Sequence, residues 1–551
     1  MPTIEISKKD LLNLIKKKLG NEQLVKLFTS IKADADIKED TISLEVADIN
    51  RPDLWSVEGI ARELKAKINK EKGIPKYKIS NSLYRVIIEK KVKSVRPVIA
   101  CAAVKNLRLN KEAIKQLIQL QEKLCENFGR KRKQVALGIY DFDKIKWPVK
   151  YTTVKPDAIK FTPLGMKEAL TPRQILQKHE KGIQYKELLQ SYKEYPLLID
   201  SAQEVLSMPP IINSDYTGKV DEKTRNVFVE VTGYSERFVW PVLNVMVTAL
   251  AERGGEIFRV KTGNLITPDL EQRKIKLDVD YCNNILGTNF SAREIARFLE
   301  KARYSTKINK KDKKEIEVSY MPYRQDILDE RDVIEDIAIA YGYPNLKPVM
   351  PAIATVGKPS AITYLKEKIV SLLLGLGFQE VSTFTLTNKS NLFKKMKLKE
   401  QPVIEIENPV SEYYAIIRNK LLPSLLEFLS KNTKKLYPQC IFEISEIVKI
   451  DKNEKASTRL KLGIVITSKD ANFTSVKQVL DYLSANLGTE CSIKPAERVG
   501  LIEGRGGDII IKGKKLGIIG EVHPKVLSKW KMEMPTAAIE IYFDKLFSLI
   551  E

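Results

Sequence analysis

Four apolar segments in the last third of the chain alternate like half-buried strands, and they constrain the fold more than any other feature. They read QCIFEISEIVKI, KLGIVITS, GDIIIKGKKLGIIGEV and AAIEIYFDKL. A period of two indicates strands that place one face on a core. The preceding segment AITYLKEKIVSLLLGLG has helical spacing. We therefore expect residues 352–551 to form an antiparallel sheet with flanking helices.

The rest of the chain divides into three further segments, because 551 residues exceed what one hydrophobic core can organise. Residues 1–95 predict an α/β structural domain. Residues 96–265 predict a second domain, with a buried strand at PVIACAAVKNL and a structured loop at EVLSMPPIINSDYTG. Residues 270–348 predict a small winged-helix-like module, with Ser291 and Glu294 as a capping box. The expected fold class is multidomain α+β.

Histidine and cysteine content narrows the possible chemistry. The two histidines, His179 and His523, argue against a histidine-centred triad or a histidine-rich metal centre. The five cysteines form no close pair, so neither a zinc site nor a disulfide framework is expected. The N-terminus lacks an apolar signal core, and the most apolar run, IVSLLLGLGF, is too short to span a bilayer. We expect a cytosolic protein without membrane segments.

The formal charge of +23 makes a polyanionic partner plausible, although heat-adapted proteins also have surplus lysine. Against this background one stretch, YRQDILDERDVIEDIAIAYGY, is acidic. At about 100° per residue, Asp329, Asp332, Glu335 and Asp336 fall on one helical face, within an arc of about 120°. Three interpretations are open: a solvated helix face, a metal site or a docking surface.

Six motifs, in order, resemble the β subunit of phenylalanine–tRNA ligase in its shorter archaeal and eukaryotic form. They are NRPDLWSVEGIARELK, GRKRKQVALGIYDFD, MPYRQDILDERDVIEDIAIAYGYPN, NPVSEYYAIIRNKLLPSLLEFLSKN, CIFEISEIV and GIIGEVHPKVL. The resemblance implies an α2β2 assembly that attaches phenylalanine to tRNA(Phe), with the phenylalanine and ATP sites on the α subunit. It implies that residues 352–551 form a non-catalytic class II synthetase-like domain that packs on α.

The residues of the C-terminal segment agree with a non-catalytic role. Class II chemistry needs an arginine two places before a glutamate to hold the α-phosphate, and Ile441 stands there before Glu443. It also needs a late arginine for the γ-phosphate, and no arginine follows Arg505. The GRGGD segment lacks the ending of a phosphate loop, so we expect a tight turn. Arg418 is expected to anchor an interface or cap a sheet rather than face a ligand.

The resemblance further implies that residues 96–265 form a proofreading domain. A pocket for phenylalanine excludes tyrosine by only about 100-fold, so a second hydrolytic site is useful. By position the candidates are Leu198, Ser207, Glu230 and Thr232. An archaeal member is expected to have aspartate at Glu230, and many relatives have histidine at Tyr140. Taken alone, Ser207 is typical of a turn, and Glu230 and Thr232 are equally typical of a polar strand face.

Two further sets of residues follow from the resemblance. Relatives bind Mg²⁺ with a pattern that Asp326, Asp332, Glu335 and Asp336 meet here, with Asp329 as a rival. In the basic run GRKRKQ, Arg130 and Arg132 are candidate tRNA contacts, against the alternative of a solvated charged face. The alternatives for the whole chain are a stand-alone class II ligase, and a tRNA-binding or assembly subunit without editing activity.

Overall fold

The computed structural model describes residues 2–309, 312, 314–353, 355–450 and 455–550. The chain divides into two units, Met1–Met350 and Pro351–Glu551. Among the described residues no helix is long and apolar enough to cross a bilayer.

The first unit begins with a small antiparallel sheet covered by helices. Its sheet order is β1-β3-β2. Ser7 and Ser56 cap α1 and α3 through their side chains. The elements are β1 (Thr3–Ser7), α1 (Lys8–Ile15), α2 (Asn21–Thr29), β2 (Ala33–Lys38), β3 (Thr41–Val46) and α3 (Val57–Lys67).

An eleven-stranded sheet forms the centre of the first unit, and its main path runs β11-β10-β9-β8-β5-β13-β6-β12-β7. Because β4 and β5 belong to it, the sheet begins before residue 95, where the sequence placed a boundary. The elements are β4 (Ile79–Ser80), β5 (Arg85–Ile88), β6 (Val98–Lys105), α4 (Lys111–Lys123), β7 (Val135–Asp141), β8 (Val149–Val154), α5 (Pro172–Lys178), α6 (Glu180–Tyr185), β9 (Tyr195–Ile199), β10 (Val205–Met208), β11 (Ile212–Asn213), α7 (Asp215–Gly218), β12 (Val227–Gly233), α8 (Glu236–Glu252), β13 (Glu256–Thr262) and β14 (Leu265–Thr267).

The two faces of strand β12 belong to different cores. Val227, Val229 and Val231 pack with α4, α8 and the N-terminal elements. Phe228 faces the opposite way, into a cluster with Tyr140 and Leu198. The polar residues of β12 that have even residue numbers therefore point to the same side of the sheet as this second cluster.

A compact module of three strands and three helices ends the first unit. Its sheet order is β15-β17-β16, fully antiparallel. Ser291 and Glu294 form the predicted capping box at α10. The elements are β15 (Arg273–Asp278), α9 (Val279–Leu286), α10 (Ala292–Lys301), β16 (Ser305–Ile308), β17 (Glu315–Tyr320) and α11 (Glu330–Tyr341).

The second unit contains a seven-stranded sheet in the order β18-β21-β22-β26-β25-β24-β23, antiparallel apart from the short β18–β21 pair. GRGGD lies inside β24 at an irregularity in register, so the predicted tight turn is wrong. The elements are α12 (Ala361–Gly375), β18 (Gln379–Glu380), β19 (Leu386–Thr387), β20 (Ile416–Ile417), α13 (Leu422–Lys431), β21 (Gln439–Ile450), β22 (Ala456–Thr467), α14 (Phe473–Asn486), β23 (Cys491–Pro495), β24 (Leu501–Ile511), β25 (Lys514–Val522), α15 (Pro524–Lys529), β26 (Thr536–Tyr542) and α16 (Phe543–Ile550).

Candidate functional site

The large sheet brings three of the four predicted editing residues into one buried region. Leu198 on β9 pairs with Ser207 on β10, and both are at most 1% exposed. Glu230 on β12 is 3% exposed, and Tyr140 on β7 links the two halves of the sheet. The Tyr140 hydroxyl lies 2.8 Å from Ser207 Oγ and 2.9 Å from Glu230 Oε1.

The Tyr140 hydroxyl links Ser207 and Glu230 in a chain of hydrogen bonds. Its phenol has one proton, which suits donation to the Glu230 carboxylate, while the Ser207 hydroxyl donates to the phenol oxygen. The ring is fully buried and lies 5.8 Å from the ring of Phe228. The phenol of Tyr140 therefore fills the space between Ser207 and Glu230.

Gly138 makes the approach of these groups possible. It lies opposite Glu230 in the β7–β12 pairing. A Cβ at position 138 would come within 2.3 Å of the Tyr140 hydroxyl oxygen and 2.8 Å of Glu230 Oε1. Any side chain here would force Tyr140 and Glu230 apart.

Thr232 is held by an arginine that the sequence did not single out. Arg96 Nε donates to Thr232 Oγ1 at 3.0 Å, and Arg96 Nη2 donates to the Thr232 carbonyl at 2.8 Å. Arg96 is 1% exposed, and Nη2 also donates to the Arg132 carbonyl at 3.2 Å. An arginine before the apolar strand PVIACAAV was the available signal, but its partner on β12 is 136 residues away.

Glu230 combines burial with an oxygen that lacks a partner. Oε1 accepts from Tyr140, whereas Oε2 has no hydrogen-bond partner among the described residues. Burial raises the pKa of Glu230 to about 7, against the opposing effects of the Tyr140 hydrogen bond and the Arg96 charge. Glu230 can therefore exchange a proton near neutral pH.

A cavity of about 380 Å³ adjoins Glu230. Its walls come from α4, strand β7 and the loop that contains Pro209 and Pro210, and most of the lining is apolar. Polar groups at its edge include Arg132, Lys181 and Asn213. Leu198, Ser207 and Thr232 do not line this cavity, so the structure separates them from the space that Glu230 reaches.

The two basic candidates, Arg130 and Arg132, lie in one left-handed turn but face different surroundings. Residues 130, 131 and 132 have φ of 50°, 54° and 61°, a backbone region that is costly for residues other than glycine. Arg132 donates to the carbonyls of Pro210 at 3.3 Å and Ile211 at 2.8 Å. Its guanidinium also lies over the ring of Tyr185 at 4.4 Å. Arg132 thus braces the Pro209–Pro210 loop, whereas Arg130 is exposed.

The structure does not gather the four predicted magnesium ligands around one point. Asp326 accepts from Arg324 at Nε and Nη2, at 2.9 Å and 2.7 Å. Asp336 accepts from Arg324 Nη2 at 2.7 Å and from the Tyr304 hydroxyl. The guanidinium of Arg324 thus binds two of the four carboxylates.

The other two carboxylates have separate roles. Asp332 accepts the backbone amides of Leu328 at 2.7 Å and Asp329 at 2.9 Å, at the start of α11. Glu335 is exposed and pairs with Lys32. Asp329, the rival candidate, is the N-cap of α11. No cluster of three or more potential metal-ligating side chains occurs in the part of the chain that the structure describes, so the four do not fit one ion held by this chain alone.

In the second unit, Arg418 forms an ion pair with Glu443. The Arg418 side chain is fully buried, and its Nη2 donates to Glu443 Oε1 at 3.0 Å and to Ser445 Oγ at 2.7 Å. Nη1 donates to Thr383 Oγ1 at 2.7 Å. The arginine thus fixes strand β21 to its neighbours, within one unit, and has no free face for a phosphate.

Two family models match the chain. The tRNA synthetase B5 domain matches residues 275–343, and the phenylalanyl tRNA synthetase beta chain CLM domain matches residues 346–543. These matches define the class of protein: an aminoacyl-tRNA synthetase subunit.

Full-length relatives narrow the class further. The phenylalanine–tRNA ligase beta subunit of Pyrococcus horikoshii is 43% identical over 99% of this chain and 100% of the relative. The Archaeoglobus fulgidus subunit is 36% identical over 93% and 92%. The crystal structure of an N-terminal fragment of the Pyrococcus horikoshii subunit covers 62% of this chain, with a TM-score of 0.60 and 44% identity. The chain belongs to the phenylalanine–tRNA ligase β-subunit family.

The raised pKa of Glu230 predicts a pH-dependent stability. The unfolded carboxyl titrates near 4.5 and the folded one near 7, so the stabilisation is full below pH 4.5 and is lost as the pH rises through 7. By linkage the free energy of unfolding should fall by about 3 kcal/mol over this window. In Glu230→Gln, which retains an acceptor for Tyr140, that fall should be missing from curves of unfolding free energy against pH. Parallel curves for the two proteins would contradict the assignment.

Proposed function

We propose that this chain is the β subunit of a cytoplasmic phenylalanine–tRNA ligase that works as an α2β2 complex. The α subunit binds phenylalanine and ATP, and the complex attaches phenylalanine to tRNA(Phe). The single observation that carries this proposal is the full-length similarity, 43% over 99% of this chain and 100% of the relative. The chain supplies an assembly surface, contacts to tRNA and an editing site.

The chemistry of the second unit supports an α-subunit location for ATP. Ile441 precedes Glu443 where a phosphate-binding arginine is needed. Arg418, the cation in contact with Glu443, is fully buried and donates to Thr383 and Ser445. A triphosphate would need exposed guanidinium or ammonium groups at this point.

We expect tRNA charging only when both subunits are present. The chain alone, the α subunit alone and the co-purified complex should be assayed for ATP-dependent attachment of phenylalanine to tRNA(Phe). The complex should be active and each subunit alone inactive. The phosphate contacts are proposed for the α subunit, and this chain is proposed to supply the surface on which the complex assembles. Charging by the isolated chain would instead support a stand-alone class II ligase.

The editing site of this proposal lies on the large sheet around Leu198, Ser207, Glu230 and Thr232. Hydrolysis of a misattached tyrosine breaks the ester bond to the ribose as a water oxygen bonds to the carbonyl carbon. The proton that the water loses passes to the departing ribose oxygen, so the products are free tyrosine and tRNA with its hydroxyl restored. Ser207 and Glu230 are the groups that already bind one phenol, that of Tyr140, so their spacing suits a tyrosine hydroxyl once Tyr140 turns away.

Ser207→Ala or Thr232→Ala should slow the deacylation of Tyr-tRNA(Phe) by the complex about tenfold, the effect of one hydrogen bond of ~1.4 kcal/mol. Thr153→Ala is the matched control. Thr153 is also buried in the same sheet, but it bonds Glu194 away from the proposed site. Wild-type rates in both site variants would refute these assignments. An inactive wild-type complex would favour the alternative, a tRNA-binding and assembly subunit without editing.

We propose a magnesium site that uses only two of the four predicted carboxylates. Glu335 is exposed and Asp332 is half-buried, and Mg²⁺ commonly binds through one or two carboxylates and several waters. Asp332 and Glu335 would supply these carboxylates once Lys32 leaves Glu335, with water or the α subunit completing the set. Asp326 and Asp336 remain with Arg324.

Magnesium titration of the complex, followed by its melting temperature, tests this assignment. Glu335→Gln should shift the titration midpoint at least tenfold toward higher magnesium, since one of the two carboxylates is lost. Glu330→Gln is the control, because Glu330 lies on the same helix but accepts the Asp278 amide. Identical midpoints in the two variants would return the acidic helix to a purely structural role.

A further inference from the structure

A groove of about 740 Å³ lies in the first unit where α4, α8 and the N-terminal sheet meet. Three cationic side chains line it: Lys123 at the end of α4, Arg130 in the left-handed turn and Arg237 in the first turn of α8. No carboxylate is among the described residues of its lining. In the described part of the chain, Lys123, Arg130 and Arg237 form no ion pair within 4.0 Å. The groove is therefore an uncompensated positive surface.

The groove also presents flat aromatic surface next to these charges. Phe128 and Phe238 line it, are half-buried, and meet edge to face with ring centroids 5.4 Å apart. Bases stack on such rings irrespective of sequence, and guanidinium groups bind the phosphates between them.

The walls of the groove are fixed by hydrogen bonds between separate parts of the unit. Gln325 Nε2 donates to the Asn50 carbonyl at 2.9 Å. The Glu5 amide donates to Gln119 Oε1 at 2.9 Å, and Gln116 Nε2 donates to the Glu5 carbonyl at 3.1 Å. These bonds tie strand β1 to α4, so the cations are presented by a preformed surface.

We propose that this groove binds the sugar-phosphate backbone of tRNA, with Arg130, Arg237 and Lys123 on phosphates and the phenylalanine rings against a base. The inference rests on the proposed function and adds the surface through which the RNA is held. The turn that presents Arg130 to the groove also carries Arg132, which braces the Pro209–Pro210 loop beside the Glu230 cavity. RNA in the groove therefore contacts the same turn that positions the proposed editing region.

The test uses the α2β2 complex, a tRNA(Phe) transcript as the probe, and the double variant Arg130→Gln with Arg237→Gln. Loss of two phosphate contacts should weaken binding roughly tenfold and reduce the slope of log K against log salt by about 2. The matched control is Lys91→Gln with Lys93→Gln, which removes two exposed cations outside the groove.

If the arginine variant binds like the lysine control in affinity and salt slope, the groove inference is overturned while a charging-competent wild type keeps the proposed function intact. If the wild-type complex neither binds nor charges tRNA(Phe), the proposed function itself fails.

Discussion

A buried chain of alternating charges holds the first unit together. Arg62 donates to Asp53 at 3.1 Å, Asp53 accepts from Arg51 at 2.9 Å, and Arg51 lies 4.0 Å from Asp326. From there Arg324 joins Asp326 to Asp336, each at 2.7 Å. The chain crosses from the N-terminal elements to α11. Burial alone would raise the pKa of Asp53, but the two arginines hold it at about 2. Removing one member of such a chain leaves an unpaired buried charge and costs about 3–5 kcal/mol.

This dependence explains why a helix with so many carboxylates belongs in a basic protein. Its acidic face is used within the unit: Asp336 accepts from Arg324, Asp332 accepts backbone amides, and Glu335 pairs with Lys32 of the N-terminal elements. The large sheet shows the same pattern, because a tyrosine of the protein itself forms hydrogen bonds with the polar groups of the proposed editing site.

The sequence predicted faces and elements better than partners. The alternation in VFVEVTG correctly placed Glu230 and Thr232 on one side of a strand, and the capping box correctly started α10. Strands β15 and β16 were missed, because RKIKLD and STKI are short and rich in charged or polar residues. Partners depend on contacts between residues far apart in sequence. The bonds from Arg96 to Thr232 and from Tyr140 to Ser207 span 136 and 67 residues, and no local periodicity encodes them.

Gly138, Tyr140 and Glu230 are packed so closely that each residue limits which side chains fit at the other two positions. A Cβ at 138 would displace the phenol and the carboxylate. A shorter acid at 230 would fall about one methylene short of the phenol, and a histidine at 140 would leave a gap where the phenol reaches Ser207. Exchange at any one position is therefore favourable only after, or together with, exchange at another. Among family members we therefore expect the residues at these three positions to change together, so that the glutamate and the tyrosine of this chain occur as a pair.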